Sequence, residues 1–251
     1  MSAVFDRIAQ AIERDERAVL FTVIEGEPLG AHMLVLEDGE RLGDELPADL
    51  AAQAGELIRG HTNRILELGD TRVFAEVYAP PPRLLVYGAV DTAESLAKLA
   101  RQLGWQAIVA DARTKFATRE RIPSASEIVV AWPEETIAQV APDHATAIVV
   151  LTHDDKFDVP ALKAALETEA FYVGALGSRR NQERRRERLL EAGVEEAALD
   201  RISGPCGLDL GAESQPETAI SILAEIIAVR NNRAGGKLQQ SKKRIHVEVA
   251  E

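Results

Sequence analysis

The 251 residues, 46 % apolar and 28 % charged, describe a globular chain of one or two domains, long enough to bury a core without covalent staples. Lys and Arg total 29 against 41 Asp and Glu, and the net charge of −12 argues against a nucleic-acid binder and a protein drawn to anionic membranes, while leaving room for a local basic patch. Cys206 is the single cysteine, ruling out an intramolecular disulfide and a cysteine-rich zinc site; with no leader pattern and no run near the roughly 18 apolar residues of a membrane span, a cytoplasmic protein is expected.

From the amino end, Val4, Phe5, Ile8, Ala9 and Ile12 share one face of a helix over 3–16. The runs 18–24 and 31–36 read as strands, and Asp38-Gly39 after the second is a hairpin turn signal. Residues 47–58 predict a short helix with Pro47 near its first turn and Gly60 past its end. RILEL and RVFAEVYA, on either side of Gly69-Asp70, make another hairpin. This unit, 1–79, mixes helices with mostly antiparallel strands. Pro80-Pro81-Pro82 follows as a stiff linker, because three prolines donate no backbone hydrogen bond.

Beyond the linker the pattern changes. RLLVYG (83–88), QAIVAD (106–111), EIVVAW (127–132), AIVVLT (147–152) and AFYVGAL (170–176) are buried-type apolar runs, with helical patterns at 92–103, 179–192 and 217–230. Strands of this kind alternating with helices predict a parallel sheet covered on both faces. The expected fold is therefore α/β, a Rossmann-like parallel-sheet domain over 83–230 preceded by the smaller α/β domain, with a polar tail at 231–251. Ser214, Pro216 and Glu217 form the capping box of the last helix.

A strand, a glycine turn, a helix and a second strand ending in an acid are the parts of a dinucleotide-binding unit. Gly88 and Asp111, 23 residues apart, supply the turn and the acid, and Arg113 stands beside it. These three are the nucleotide-binding candidates of an NAD(P)-dependent oxidoreductase. Against that reading, Val90 occupies the position where the second glycine of G-x-G-x-x-G admits a pyrophosphate. Asp91 with Glu94 also resembles a capping box, which would already satisfy the helix dipole.

Ligands of open parallel sheets bind outside the carboxyl ends of the strands. Reading past each strand end collects Asp111 and Arg113, then Thr152 to Lys156, then Gly174 to Arg180, with Gly204 to Gly211 before the last helix. Ser178 is the expected N-cap of the 179–192 helix. Arg179 and Arg180 in its first turn oppose the macrodipole, a conflict that a bound anion removes. The alternative is that Arg179 pairs with Glu183 and Arg180 is solvated. Arg184, Arg185, Arg186 and Arg188 are expected to face solvent or a partner. No metal site is expected, since His153 with Asp154, Asp155 and Asp158 lacks a ligand spacing, and Asp158 and Pro160 read as the start of the next helix. No nucleophile is paired to His153 in sequence, so no catalytic residue is assigned. Cys206 reads as a small packed hydrophobe.

VLTHDDKFDVPAL, FYVGALGSRR and GPCGLDLGAESQPETAISILAEIIAVR together resemble the XdhC/CoxI family, accessory factors for molybdenum hydroxylases such as xanthine dehydrogenase and carbon monoxide dehydrogenase. The resemblance implies an N-terminal α/β domain joined to a C-terminal Rossmann domain. It also implies a cofactor-binding chaperone more than a catalyst, one that binds the molybdenum cofactor (molybdopterin), supports its sulfuration alongside a cysteine desulfurase, and delivers it to an apo-hydroxylase in the cytoplasm. A homodimer is implied as well. His153, Asp154, Gly174, Gly177, Ser178, Arg179, Arg180, Gly207 and Asp209 match recurrent motifs of the family and are the cofactor-binding candidates. Three positions depart from its pattern: Gly88-Ala89-Val90-Asp91 replaces a common G-A-G-H, Gly43-Asp44-Glu45-Leu46 occupies the region of a Gly-Gly-Cys stretch, and Cys206 replaces an aliphatic residue. A ligand-free docking scaffold, with the arginine-rich helix as partner surface, is the remaining alternative.

Overall fold

The computed structural model describes residues 3–60 and 62–241. The chain divides into two units, one ending at Pro80 and resuming at Gly236, the other Pro81–Gly235. The first contains α1 (Ala3–Glu13), β1 (Ala18–Glu25), β2 (His32–Leu36), β3 (Arg41–Gly43), α2 (Ala48–Gly60), β4 (Arg64–Leu68) and β5 (Thr71–Tyr78). Its strands form an antiparallel sheet in the order β3-β2-β1-β5-β4. Alternate residues of β1 point to opposite faces. Val19, Phe21 and Val23 pack with Leu50, Leu57 and Ile58 of α2, and Ala18 and Leu20 pack with Val4 and Ile8 of α1. Burial on both faces explains why β1 reads as a mostly apolar run, broken at Thr22.

The second unit contains β6 (Arg83–Tyr87), α3 (Asp91–Gln102), β7 (Gln106–Ala110), β8 (Glu127–Val129), α4 (Pro133–Val140), β9 (Thr146–Val150), α5 (Asp155–Leu166), β10 (Tyr172–Ala175), α6 (Arg179–Glu191), α7 (Glu196–Leu199), β11 (Ile202–Ser203) and α8 (Gln215–Arg230). All six strands are parallel, in the order β11-β10-β9-β6-β7-β8. This is the doubly wound Rossmann order, and it reverses between β6 and β9. Leu84 and Val86 pack under α3 and α8 on one face; Leu85 and Tyr87 pack under α5 on the other. Among the described residues no helix is long and apolar enough to cross a membrane. Residues 242–251 of the expected polar tail lie outside the described residues, and a 3-10 turn, Leu238–Gln240, precedes them.

Several local expectations are corrected. The N-cap of α3 is Val90, with no side-chain cap bond. Asp91 is already helical and lies 3.4 Å from Arg121 Nη2. Glu94 is drawn away by Ser124, accepting from its hydroxyl at 2.6 Å and its amide at 3.1 Å, so no capping box forms. Helix α5 begins at Asp155 with Asp154 as its cap and carries Pro160 inside it. The α8 capping box at Ser214 and Glu217 does form, with Pro216 in the first turn.

Candidate functional site

Where the strand order reverses, the connections leaving β6 and β9 run to opposite faces of the sheet and leave a crevice between their carboxyl ends. A cleft of about 480 Å³ lies there, lined by Val90, Arg113, Leu151, Thr152, His153, Asp154 and Asp155. Gly88 makes the approach of the two strand ends feasible. Its φ is +111°, and a Cβ would stand 3.1 Å from Thr152 Cγ2 and 3.2 Å from Thr152 N, a conformation and a clearance that glycine tolerates.

Asp111, at the end of β7, is buried. Its Oδ2 accepts from the Ala89 amide at 3.0 Å and Arg113 Nη2 at 2.8 Å, and its Oδ1 accepts from the Arg113 amide and Nε, both at 2.9 Å. Two bonds to each oxygen use the acceptor capacity of the carboxylate. Burial alone would push its pKa up, but the hydrogen bonds from Arg113 and Ala89 outweigh it and hold the group below its ordinary value. In this arrangement Asp111 positions Arg113 and the Gly88 turn, leaving no lone pair for a ribose hydroxyl. The Arg113 guanidinium also lies 4.3 Å from the Phe116 ring centroid and 5.5 Å from that of Phe157, which fixes it further.

Behind the cleft a second buried carboxylate organises the wall. Asp158 of α5 accepts from Thr152 Oγ1 at 2.8 Å and pairs with Arg185 of α6 at 2.6 Å, both side chains 6 % exposed. Arg185 also donates to Gln182 and to the Leu176 carbonyl. The expectation that Arg185 faces solvent or a partner is therefore overturned, because it compensates a charge that could not otherwise be buried. Asp158, in the first turn of α5 as expected though the helix begins at Asp155, ties the loop after β9, α5 and α6 together. Arg184 and Arg188 pair with Asp155, and Arg186 with Glu196 and Asp200.

Of the sequence-derived candidates, the cleft brings together Arg113, His153 and Asp154. His153 is exposed, and Asp154 is the N-cap of α5, accepting from the Lys156 amide at 3.1 Å. Gly88 and Asp111 stand directly behind this lining, and the remaining candidates lie elsewhere on the same unit and contribute nothing to it. Gly174 is buried within β10, Gly177 is half-buried, and Ser178 caps α6 by accepting from Asn181 N at 3.3 Å. Arg179 and Arg180 are exposed and have no hydrogen-bond or ion-pair partner among the described residues, so the pair with Glu183 is not formed. Gly207 has φ +111°, and a Cβ there would stand 2.5 Å from Ser221 Oγ; Asp209 is exposed. Cys206 is buried, and burial followed by the charge of Glu225 pushes its thiol up to about 12. Among the described residues no three His, Cys, Asp or Glu side chains gather so as to hold a metal ion. The reading from sequence missed Val90 as a cleft wall and Arg185 as its support. The signal for Arg185 was Asp158, a carboxylate between the apolar Phe157 and Val159.

Comparison with known proteins places this geometry in a family. Residues 84–226 match the model described as the XdhC Rossmann domain. A probable xanthine dehydrogenase subunit of Bacillus subtilis is 32 % identical over 164 residues, covering 65 % of this chain and 48 % of that protein. The molybdenum cofactor insertion chaperone PaoD of Escherichia coli is 32 % identical over 153 residues, covering 61 % of this chain and 42 % of that one. The chain thus spans about half the length of the curated relatives it matches. A crystal structure described as a xanthine dehydrogenase from Bacillus halodurans superposes with a TM-score of 0.70 at 24 % identity, over 91 % of this chain and 67 % of that one, a likeness of fold. With its Rossmann order and more than half of its length matched by that model, the chain belongs to the XdhC family.

Proposed function

We propose that the protein is an accessory factor that takes up the molybdenum cofactor as cargo, supports its sulfuration and passes it to a molybdenum hydroxylase apoenzyme of the xanthine dehydrogenase or carbon monoxide dehydrogenase type. The cleft at the β6–β9 switch point carries the reading: it is polar on both walls and of a size that takes a small heterocyclic ligand. Arg113, His153 and Asp154 are its contact groups. The exposed, unpartnered Arg179 and Arg180 would meet an anionic part of the cargo or an acidic client surface, with Gly174, Gly177 and Ser178 shaping that turn and Gly207 and Asp209 the neighbouring loop. A relative named as a cofactor insertion chaperone supports the same role. A homodimer working in the cytoplasm beside a cysteine desulfurase completes the proposal. Saturation of Asp111 by Arg113 and Ala89 argues against NAD(P) as the ligand.

The test is to purify the protein from a cofactor-producing host, oxidise it and measure pterin fluorescence. Wild type should be fluorescent, protein from a host lacking pterin synthesis should be dark, and Arg113→Ala should retain less than a tenth of the signal. A dark wild-type protein overturns cargo binding.

A further inference from the structure

Two unlike groups face the cleft from opposite sides of β6. Arg113 follows β7 and Asp154 follows β9, and β6 lies between those strands, so the two walls stand about two strand spacings, roughly 10 Å, apart. Arg113 spends Nε and Nη2 on Asp111, while Nη1 has no partner among the described residues and the side chain is 36 % exposed. Asp154 gives Oδ1 to the Lys156 amide and leaves Oδ2 without a partner among the described residues. The hydrogen bond and charge of Asp111 raise the basicity of Arg113 against the opposing effect of burial, and the charge of Asp154 adds to them. The two groups therefore sense each other across the cleft without forming an ion pair.

The pairing of Arg113 with Asp111 also bears on charge. That arginine is already neutralised, and Asp154 adds a negative charge, so the cleft offers directed donors on one wall and acceptors on the other more than a net positive field. A ligand suited to it presents acceptors at one side of a planar ring and N–H donors at the other. The 2-amino-4-oxopyrimidine ring fused into a bicycle has that arrangement. Its 4-oxo oxygen accepts, as guanine O6 accepts from arginine. Its ring N–H and 2-amino group donate in parallel and suit a carboxylate.

Resting on the cargo-binding reading above, we propose that the cleft recognises this ring edge, with Asp154 accepting from the N–H and 2-amino donors, Arg113 donating to the oxo side, and Asp111 acting as the positioning residue for Arg113. The edge is carried by the pterin of the cofactor and equally by guanine. The rigid guanidinium has its orientation set before binding, which removes part of the ordering cost.

The experiment titrates the full chain with 6-hydroxymethylpterin, with lumazine, which has an oxo group in place of the 2-amino group, and with guanosine 5′-monophosphate. Wild type should bind pterin at least tenfold more tightly than lumazine. Asp154→Asn, which still caps α5, should lose that preference, whereas a merely structural role for Asp154 would leave it intact. Asp111→Asn and Arg113→Lys should each weaken pterin at least tenfold. The tighter of pterin and guanosine monophosphate identifies which carrier of the edge is bound. Equal affinity for pterin and lumazine, or an unchanged preference in Asp154→Asn, overturns the proposal. If those results accompany a fluorescent pterin in protein purified from the host, cargo binding stands and only the ring-edge assignment falls. If free pterin binds with the stated preference to a protein that purifies dark, the reverse holds.

Discussion

Cys206 lies in the loop after β11, and its environment makes it an inert thiol despite a glycine on either side of the Pro205-Cys206 pair. Burial, and then Glu225, raise it to about 12 from an ordinary 9.0. At pH 8 about one thiol in ten thousand is then ionised, against about one in ten for an ordinary cysteine, and only the thiolate is nucleophilic. Alkylation by iodoacetamide at pH 8 should therefore run roughly a thousandfold slower in the folded protein than in the urea-unfolded chain. Rates within tenfold of each other would mean that the thiol is open. Because the folded value is the higher one, burial of the protonated thiol stabilises the protein fully below about pH 9. That contribution declines as pH rises from about 9 towards 12, where the unfolded chain ionises first. The residue reads correctly from sequence because one small apolar side chain needs no partner. Arg185 does not. It is one of six arginines between 179 and 188, chemically identical in the sequence, and only its register opposite Asp158 in three dimensions selects it for burial.

Among the elements, α6 contains the sharpest conflict between local physics and sequence. Its first turn has no acid and begins Arg179-Arg180, both exposed and without partners among the described residues. Positive charge at a helix start costs about 0.3–1 kcal/mol per residue at exposed positions. The double variant Arg179→Glu, Arg180→Glu should consequently be more stable than wild type in urea denaturation, by roughly 1–4 kcal/mol, because it removes two unfavourable charges and adds two favourable ones. It should also transfer less cofactor to an apo-hydroxylase. A variant that is stabilised with undiminished transfer would remove these arginines from function, while one that is destabilised would mean that the dipole argument misreads this turn. The strands β6, β7, β9 and β10 were legible because burial on both faces demands continuous apolar runs. The run at 127–132 was read too long: β8 stops at Val129, with Val130 and Trp132 about half exposed and Pro133 opening α4. The strand β11, two residues long, and the four-residue α7 are too short to leave a period in the sequence.

At the scale of the whole molecule, the cleft and the core that supports it come from one contiguous stretch. Both hydrophobic clusters flanking the parallel sheet are built from residues between Leu84 and Ile226, and every residue lining the cleft lies between Val90 and Asp155. The antiparallel sheet of the first unit has cores of its own, one under α1 and one under α2. A segment that carries its own core and its own hydrogen-bonded sheet has what it needs to fold independently. Its 155 residues exceed the size below which small chains need disulfides or metals. We therefore expect a fragment spanning 81–235 to unfold in a single cooperative urea transition. It should bind 6-hydroxymethylpterin within about threefold of the full chain, since a threefold change is less than 1 kcal/mol and none of the lining is removed. An unfolded or aggregating fragment would mean that the first unit contributes to the stability of the second. A folded fragment that binds more than tenfold more weakly would mean that the lining between Val90 and Asp155 does not suffice for the ligand.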